Sequence, residues 1–302
     1  MKPDDPQCRI LVVRPGALGD TILGIPLLKS IGERNPGASL TVLGTGRYRF
    51  LIPRVMEFHS IDHRDWLWLF SPGISEPERD LPRYDKAYLV VTQPDRVAEN
   101  LRNTGTESVV HVPSRPAGSI HVVEHLHLGL GLPIPPRKAV LAHLGSGEGK
   151  PLIWLHPGSG GPKKCLPPDR MLMLAQRLRD VSGWDLAVTA GEEDEFLKVH
   201  PAWERLINGP HTQLLDNRPY GELCETLGVA GLFVGNDSGI SHLAANLGIP
   251  SAVFFVSTDP AQWAPWVPEN HLRVIDLRER EPEPHALGQE AEDLLLWAGG
   301  IH

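Results

Sequence analysis

The chain is short of most features that announce a function outright. Its 302 residues hold three cysteines, Cys8, Cys165 and Cys224. They are scattered, odd in number and outside any CxxC spacing, which excludes a disulfide framework and a cysteine-rich zinc site and fits a reducing cytoplasm. Basic charge is scarce too: 29 Lys and Arg against 37 Asp and Glu leave a net −8. A nonspecific nucleic-acid binder needs a basic footprint, so no nucleic-acid partner is expected. Nowhere do the fourteen histidines read as a metal site with carboxylates, and no metal or other cofactor is expected. His125 and His127 lie two apart on a helix-like stretch and therefore face apart.

Long apolar runs are lacking as well. Ser238 to Thr258 carries no formal charge and has roughly the length that spans a bilayer. Gly248-Ile249-Pro250 breaks it, however, and His242 and Asn246 are polar, so it reads as helix, turn and buried strand. The first residues, Met1-Lys2-Pro3-Asp4-Asp5-Pro6, are polar and broken by proline, unlike a signal peptide. A cytoplasmic location is expected.

What is present is an alternation of strands and helices. Arg9-Ile10-Leu11-Val12-Val13 reads as a buried parallel strand, and Asp20 to Ile31 as a helix with Pro26 implying a kink or a late start. Leu40 to Gly44, Ala87 to Val91 and Ser108 to Val112 are strand-like, and His121 to Leu130 is helical. A proline- and glycine-rich stretch then runs from Leu132 to Pro151, after which the alternation restarts. Two α/β units with mainly parallel sheets follow, residues 1–148 and 149–302. Ligands of such sheets bind beyond the carboxyl ends of the strands.

Several strand-to-helix turns carry chemistry. In Asn236-Asp237-Ser238-Gly239-Ile240-Ser241-His242 a strand turns through small polar residues into a helix, which aims free N–H groups and the positive dipole end at the turn. This is an anion cradle or a plain N-cap by Asp237 or Ser238. Pro15-Gly16-Ala17-Leu18-Gly19-Asp20 is a GxxGD turn in which Asp20 caps the helix or stands as a carboxylate able to take a proton from a hydroxyl. It lacks the GxGxxG dinucleotide fingerprint.

His156 to Pro167 (HPGSGGPKKCLP) exposes backbone N–H groups, the Ser159 hydroxyl and two lysines, Lys163 and Lys164, suited to a diphosphate or to a solvated loop. Gly191-Glu192-Glu193-Asp194-Glu195 is an acidic helix start or a carboxylate site for ribose hydroxyls. Arg47, Arg49 and Arg54 would meet an anionic acceptor or plain solvent. Trp66-Leu67-Trp68-Leu69-Phe70 is core or a surface patch, core being the commoner fate of such a run. Gly145 to Lys150 imitates a P-loop, but Pro151 replaces its Ser or Thr and no strand precedes it, so it reads as linker.

Together these blocks resemble glycosyltransferase family 9, the ADP-heptose:lipopolysaccharide heptosyltransferases. The resemblance rests on ILVVRPGALGDTILG (Ile10 to Gly24), His156 to Pro167, Gly191 to Glu195 and GNDSGISHLAANLGIP (Gly235 to Pro250). Thr258-Asp259-Pro260 and Trp263-Ala264-Pro265-Trp266 add to it. It departs from the family at Leu166, where tryptophan is usual, and at Val256-Ser257, where Gly-Pro is usual.

The resemblance implies a GT-B fold, two Rossmann-like domains facing across a cleft with the acceptor on the N-terminal side and the nucleotide-sugar donor on the C-terminal side. It implies inverting transfer without a metal, with Asp20 as catalytic base and Gly19 beside it. Lys164 and Ser159 would hold the donor phosphates, Glu192 or Glu193 the ribose, and Asp237, Ser238, Gly239 and His242 the sugar and diphosphate. The implied partners are an ADP-linked sugar, heptose by default, and a lipopolysaccharide-type glycan, with peripheral contact at the cytoplasmic face of the inner membrane. Two rival readings are a non-catalytic nucleotide-sugar binding protein of the same fold and an NAD-dependent oxidoreductase.

Overall fold

The computed structural model describes residues 8–72, 83–145, 149–191, 194, 199–279 and 284–300. The chain divides into two compact units, Met1–Pro136 and Arg137–His302. The division falls inside the proline- and glycine-rich stretch, earlier than the 148/149 boundary expected from sequence.

In the first unit β1 (Arg9–Val13) is followed at once by α1 (Leu18–Arg34), then β2 (Ser39–Gly44), β3 (Glu57–Ser60), β4 (Lys86–Val90), α2 (Asp95–Asn103), β5 (Ser108–Val112) and α3 (Val122–Gly129). The described strands form one sheet in the order β3-β2-β1-β4-β5, every pair parallel. Ile10 to Val13 are fully buried, as a central parallel strand covered on both faces requires. The helix starts at Leu18 and continues past Pro26, which is buried with Thr21 to Leu28 around it. The lost hydrogen bond, about 3 kcal/mol in an exposed helix, is outweighed by the apolar surface this segment covers. Trp66, Trp68 and Leu69 lie in a tight 3₁₀ turn and are buried. The carbonyls of Trp68 and Leu69 accept from the Asn100 amide at 3.0 and 3.1 Å. The side chains of Trp66, Trp68 and Leu69 are core, with Phe70 packed against them, while Leu67 stands 51% exposed.

The second unit contains β6 (Lys150–His156), α4 (Pro168–Ser182), β7 (Asp185–Ala190), α5 (Pro201–Ile207), β8 (Thr212–Asp216) and α6 (Tyr220–Leu227). Then come β9 (Ala230–Asn236), α7 (Gly239–Asn246), β10 (Ser251–Phe255), α8 (Pro260–Trp263), β11 (Leu272–Asp276) and α9 (Pro284–Gly299). Its described strands are again all parallel, in the order β11-β10-β9-β6-β7-β8. Read from β8, this is the 3-2-1-4-5-6 order of the Rossmann sheet, and the five described strands of the first unit follow the same order, 3-2-1-4-5. The order in which strands are laid down reverses between β1 and β4 in one unit and between β6 and β9 in the other. Those switch points leave a crevice beyond the strands' carboxyl ends, where ligands of open α/β sheets bind. Among the described residues no helix is long and apolar enough to cross a membrane.

Candidate active site

The turn after β1 holds a carboxylate over a buried cation. Thr45, just past β2, donates through its hydroxyl to the Gly16 carbonyl at 2.8 Å and accepts from the Gly16 N–H at 3.3 Å, pinning the turn. A Cβ on Gly16 would lie 2.6 Å from the Asp20 Cβ, so only glycine lets Asp20 fold back across the turn. Asp20 Oδ2 then accepts from the Ala17 N–H at 3.1 Å. It therefore does cap the helix start, yet its side chain remains 35% exposed. Beneath it Arg14 places Nη2 3.1 Å from the Asp20 carbonyl oxygen and 3.5 Å from Oδ1, with a side chain only 5% exposed. Burial lowers the Arg14 pKa and the neighbouring Asp20 opposes that shift. Gly19 is buried in the first turn of α1.

The loops after β6 and β9 form a second cluster. Asn236, wholly buried, donates through its amide to the Pro157 carbonyl at 2.7 Å and accepts from the Leu166 N–H at 2.8 Å. One side chain thus grips both ends of the glycine-lysine loop. Asp237 holds its middle: Ser159 Oγ donates to the Asp237 carbonyl at 2.6 Å, and Lys164 Nζ lies 3.1 Å from Oδ2. Thr258 Oγ1 donates to the same Oδ2 at 2.6 Å, and His242 Nε2 is 4.0 Å from Oδ1. The Asp237 side chain is 6% exposed and that of Lys164 is 40% exposed. An ammonium has three donors, and among the described residues only one of those on Lys164 is engaged, by Asp237. Ser238 is the N-cap of α7, its Oγ accepting from the Ser241 N–H at 3.3 Å. This fixes the helix start and leaves the N–H groups of Gly239 and Ile240 as its foremost donors.

A family model, "Glycosyltransferase family 9 (heptosyltransferase)", matches residues 131–290, more than half of the chain. The chain belongs to glycosyltransferase family 9. Lipopolysaccharide heptosyltransferase 3 of Escherichia coli is 26% identical over 122 residues, which span 40% of this chain and 36% of that protein. The match thus covers about a third of that relative's length. Among solved structures, E. coli ADP-heptose LPS heptosyltransferase II superposes with a TM-score of 0.69 at 20% identity, over 95% of this chain and 98% of that one. E. coli heptosyltransferase WaaC with ADP gives 0.69 at 20% identity, over 95% and 99%. These likenesses show the fold, which is of the GT-B type with two Rossmann-like parallel-sheet domains.

In this family 9 chain the sequence-derived donor residues Ser159, Lys164, Asp237, Ser238, Gly239 and His242 all fall in one cluster at the β6/β9 switch point. Glu192 and Glu193 lie outside the described residues. Asp194, just past that segment, is buried, and its Oδ2 accepts from the Gly191 N–H at 2.8 Å. A Cβ on Gly158 would overlap the Asp194 carboxylate, so the loops after β6 and β7 meet only because residue 158 is glycine. Arg47 and Arg49 stand exposed in the 3₁₀ turn Gly46–Leu51, and Arg54 just beyond it. Arg49 Nη1 donates to the Ile52 carbonyl at 3.3 Å, with its guanidinium 5.6 Å from the centre of the Phe58 ring.

Sequence reasoning passed over Arg14, Asn236 and Thr258. All three sat in quoted motifs, Arg14 within Ile10 to Gly24 and Asn236 at the head of the turn before α7, but nothing in the pattern gave them a role. The thiol of Cys165, next to Lys164, is pushed up to about 11 by burial and by Asp194, against the pull of Lys164. That disfavours the thiolate, the form a cysteine nucleophile needs.

Two histidine pairs do stand four apart, His59/His63 and His121/His125, the second with Glu124 between. Neither is turned to one point. His121 is the N-cap of α3, its Nδ1 accepting from the Val123 N–H at 3.2 Å, while His125 Nε2 bonds the Pro113 carbonyl at 2.8 Å. His59 lies on β3 against Glu57, whereas His63 caps the following turn. Among the described residues no group of three or more His, Cys, Asp or Glu could hold a metal.

Proposed function

We propose that the protein is an inverting, metal-independent glycosyltransferase that moves heptose from ADP-heptose to a lipopolysaccharide-type glycan, with Asp20 as general base. One observation carries the reading. Each unit sets an aspartate–cation pair at a strand-to-helix turn, but the first exposes the carboxylate and buries the cation, while the second exposes the cation and buries the carboxylate. An inverting transfer needs both faces: a base for the attacking hydroxyl and positive charge for the departing diphosphate.

In this reading Asp20 accepts the proton of the acceptor hydroxyl as its oxygen attacks the anomeric carbon. The bond from that carbon to the ADP oxygen breaks on the opposite face. Lys164 and the first N–H groups of α7 meet the charge that develops on the diphosphate, and His242 lies one turn along the same helix. With Asp237 holding Lys164 in place, those groups do the work a divalent cation would otherwise do. Ser159 faces the phosphates, and Glu192 or Glu193 takes the ribose. Arg47, Arg49 and Arg54 meet an anionic acceptor. The place of work is the cytoplasmic face of the inner membrane, held by peripheral contact.

Support for donor and acceptor comes from the relatives, which are named for ADP-heptose and lipopolysaccharide. A thermal-shift panel of nucleotides and nucleotide sugars, followed by a transfer assay with and without EDTA, tests this. ADP and ADP-heptose should raise the melting temperature, and ADP release should persist in EDTA. Stabilisation by nicotinamide nucleotides alone, or turnover abolished by EDTA, would sink the proposal.

A further inference from the structure

We infer that Arg14 is a positioning residue for Asp20, holding the carboxylate in the orientation that receives the acceptor's proton. This rests on the reading of Asp20 as the base. The argument begins with how poorly Arg14 is placed for stability. It is 6% exposed, and its Nε is buried with no hydrogen-bond partner among the described residues. It also sits against the first turn of α1, where the helix dipole disfavours a cation. A buried guanidinium with an unsatisfied donor is costly, and apolar side chains of similar size commonly replace buried ion pairs without loss of stability. Stability alone therefore gives no reason for arginine here.

What Arg14 does is grip Asp20 at two points. Nη2 lies 3.1 Å from the Asp20 main-chain oxygen and 3.5 Å from Oδ1. The Arg14 backbone is itself fixed, its N–H donating to the Leu43 carbonyl at 2.9 Å. Oδ2 is held from the other side by the Ala17 N–H. Each carboxylate oxygen thus has one donor from the protein and keeps its remaining lone pairs for the exposed side. Both contacts come from the one nitrogen Nη2, so what arginine adds over lysine is a rigid planar group that brings this nitrogen to a fixed place, where a flexible four-carbon ammonium would wander. Misplacing a reacting group by about 1 Å can cost roughly 100-fold in rate.

The test compares Arg14→Met and Arg14→Lys with wild type, using ADP-heptose and a lipopolysaccharide acceptor. Arg14→Met should lower kcat roughly 10- to 100-fold while leaving the donor KM and the melting temperature close to wild type. Arg14→Lys, which keeps the charge and gives up the rigid planar group, should fall between the two. In an Asp20→Asn background Arg14→Met should add no further loss, because the two act as a unit. Wild-type kcat in either Arg14 variant, or an undiminished loss in the Asp20→Asn background, overturns the inference. If Arg14→Met fails to fold, Arg14→Lys carries the comparison alone, and full activity there is equally fatal. Failure of the underlying reading looks different: Asp20→Asn would itself turn over normally.

Discussion

The two units are built on one strand order and put to opposite use. In the first, the carboxylate of Asp20 stands 35% exposed over a guanidinium that is 5% exposed. In the second, the ammonium of Lys164 stands 40% exposed over a carboxylate that is 6% exposed. In the function proposed above, the same pair of charges, inverted, makes the end of one sheet a place for a proton and the end of the other a place for phosphate. The local supports differ accordingly. Asp20 lies on the helix itself and needs Gly16 to clear its path. Lys164 lies on a loop and needs Asn236, Asp237 and Thr258 to hold that loop still. A pair on a helix is rigid by construction, whereas a pair on a loop must be laced down.

The comparison breaks most easily on the first pair. Asp20→Asn keeps the shape and the contact with the Ala17 N–H within reach but cannot accept a proton. Loss of a general base costs roughly 10²- to 10⁴-fold, so transfer should fall by that much while ADP affinity, a property of the other unit, stays put. Titration calorimetry beside a product assay reads both. Turnover near wild type would leave Asp20 a helix cap and nothing more.

Next in size is Lys164→Ala. A hydrogen bond to a charged group is worth about 1.5–3 kcal/mol, or roughly 10- to 100-fold in ADP affinity. Removing the ammonium also leaves Asp237 without its ion-pair partner next to the diphosphate, which adds to the loss. Thr258 still donates to the buried Oδ2, so the loop should not collapse, and far-UV circular dichroism should match wild type. Unchanged ADP affinity would mean that Lys164 serves Asp237 alone.

Much of this was legible in the chain. Central parallel strands are continuous apolar runs, and Ile10 to Val13 and Gly231 to Val234 announce themselves for that reason. Three of the four edge strands did not. Glu57–Ser60, Thr212–Asp216 and Leu272–Asp276 are short and only partly buried, so neither an apolar run nor a clean alternation marks them. The helix Asp95–Asn103 is mostly polar and buries only Val97, Ala98, Asn100 and Leu101. The site was legible where glycines and chemistry fall together, at Asp20, Lys164 and Asp237. Its supports were not: Asn236 reads as one more polar residue until the loop it grips is folded against it. Arg14 looks like the end of a strand.

The smallest effect separates the floors of the two units. Each buries a histidine whose pKa is pulled down, first by burial: His127 in the first unit, His156 in the second. Hydrogen bonds from His127 to the Val123 carbonyl and from His156 to that of Thr189 pull the other way, as does Asp194 on His156. Above the unfolded value of about 6.5 both rings are neutral in either state, and neither depends on pH. Below it the unfolded chain takes up protons that the folded one resists, so stability falls as pH drops from about 6.5 towards the lowered folded values. The slope is at most about 1.4 kcal/mol per pH unit for each ring. Urea melts at pH 7 and pH 5.5 should show that loss, and His156→Gln should reduce it for the second unit while leaving the first unchanged. An acid dependence untouched by the substitution would place the titrating group elsewhere and take His156 out of the account of that floor.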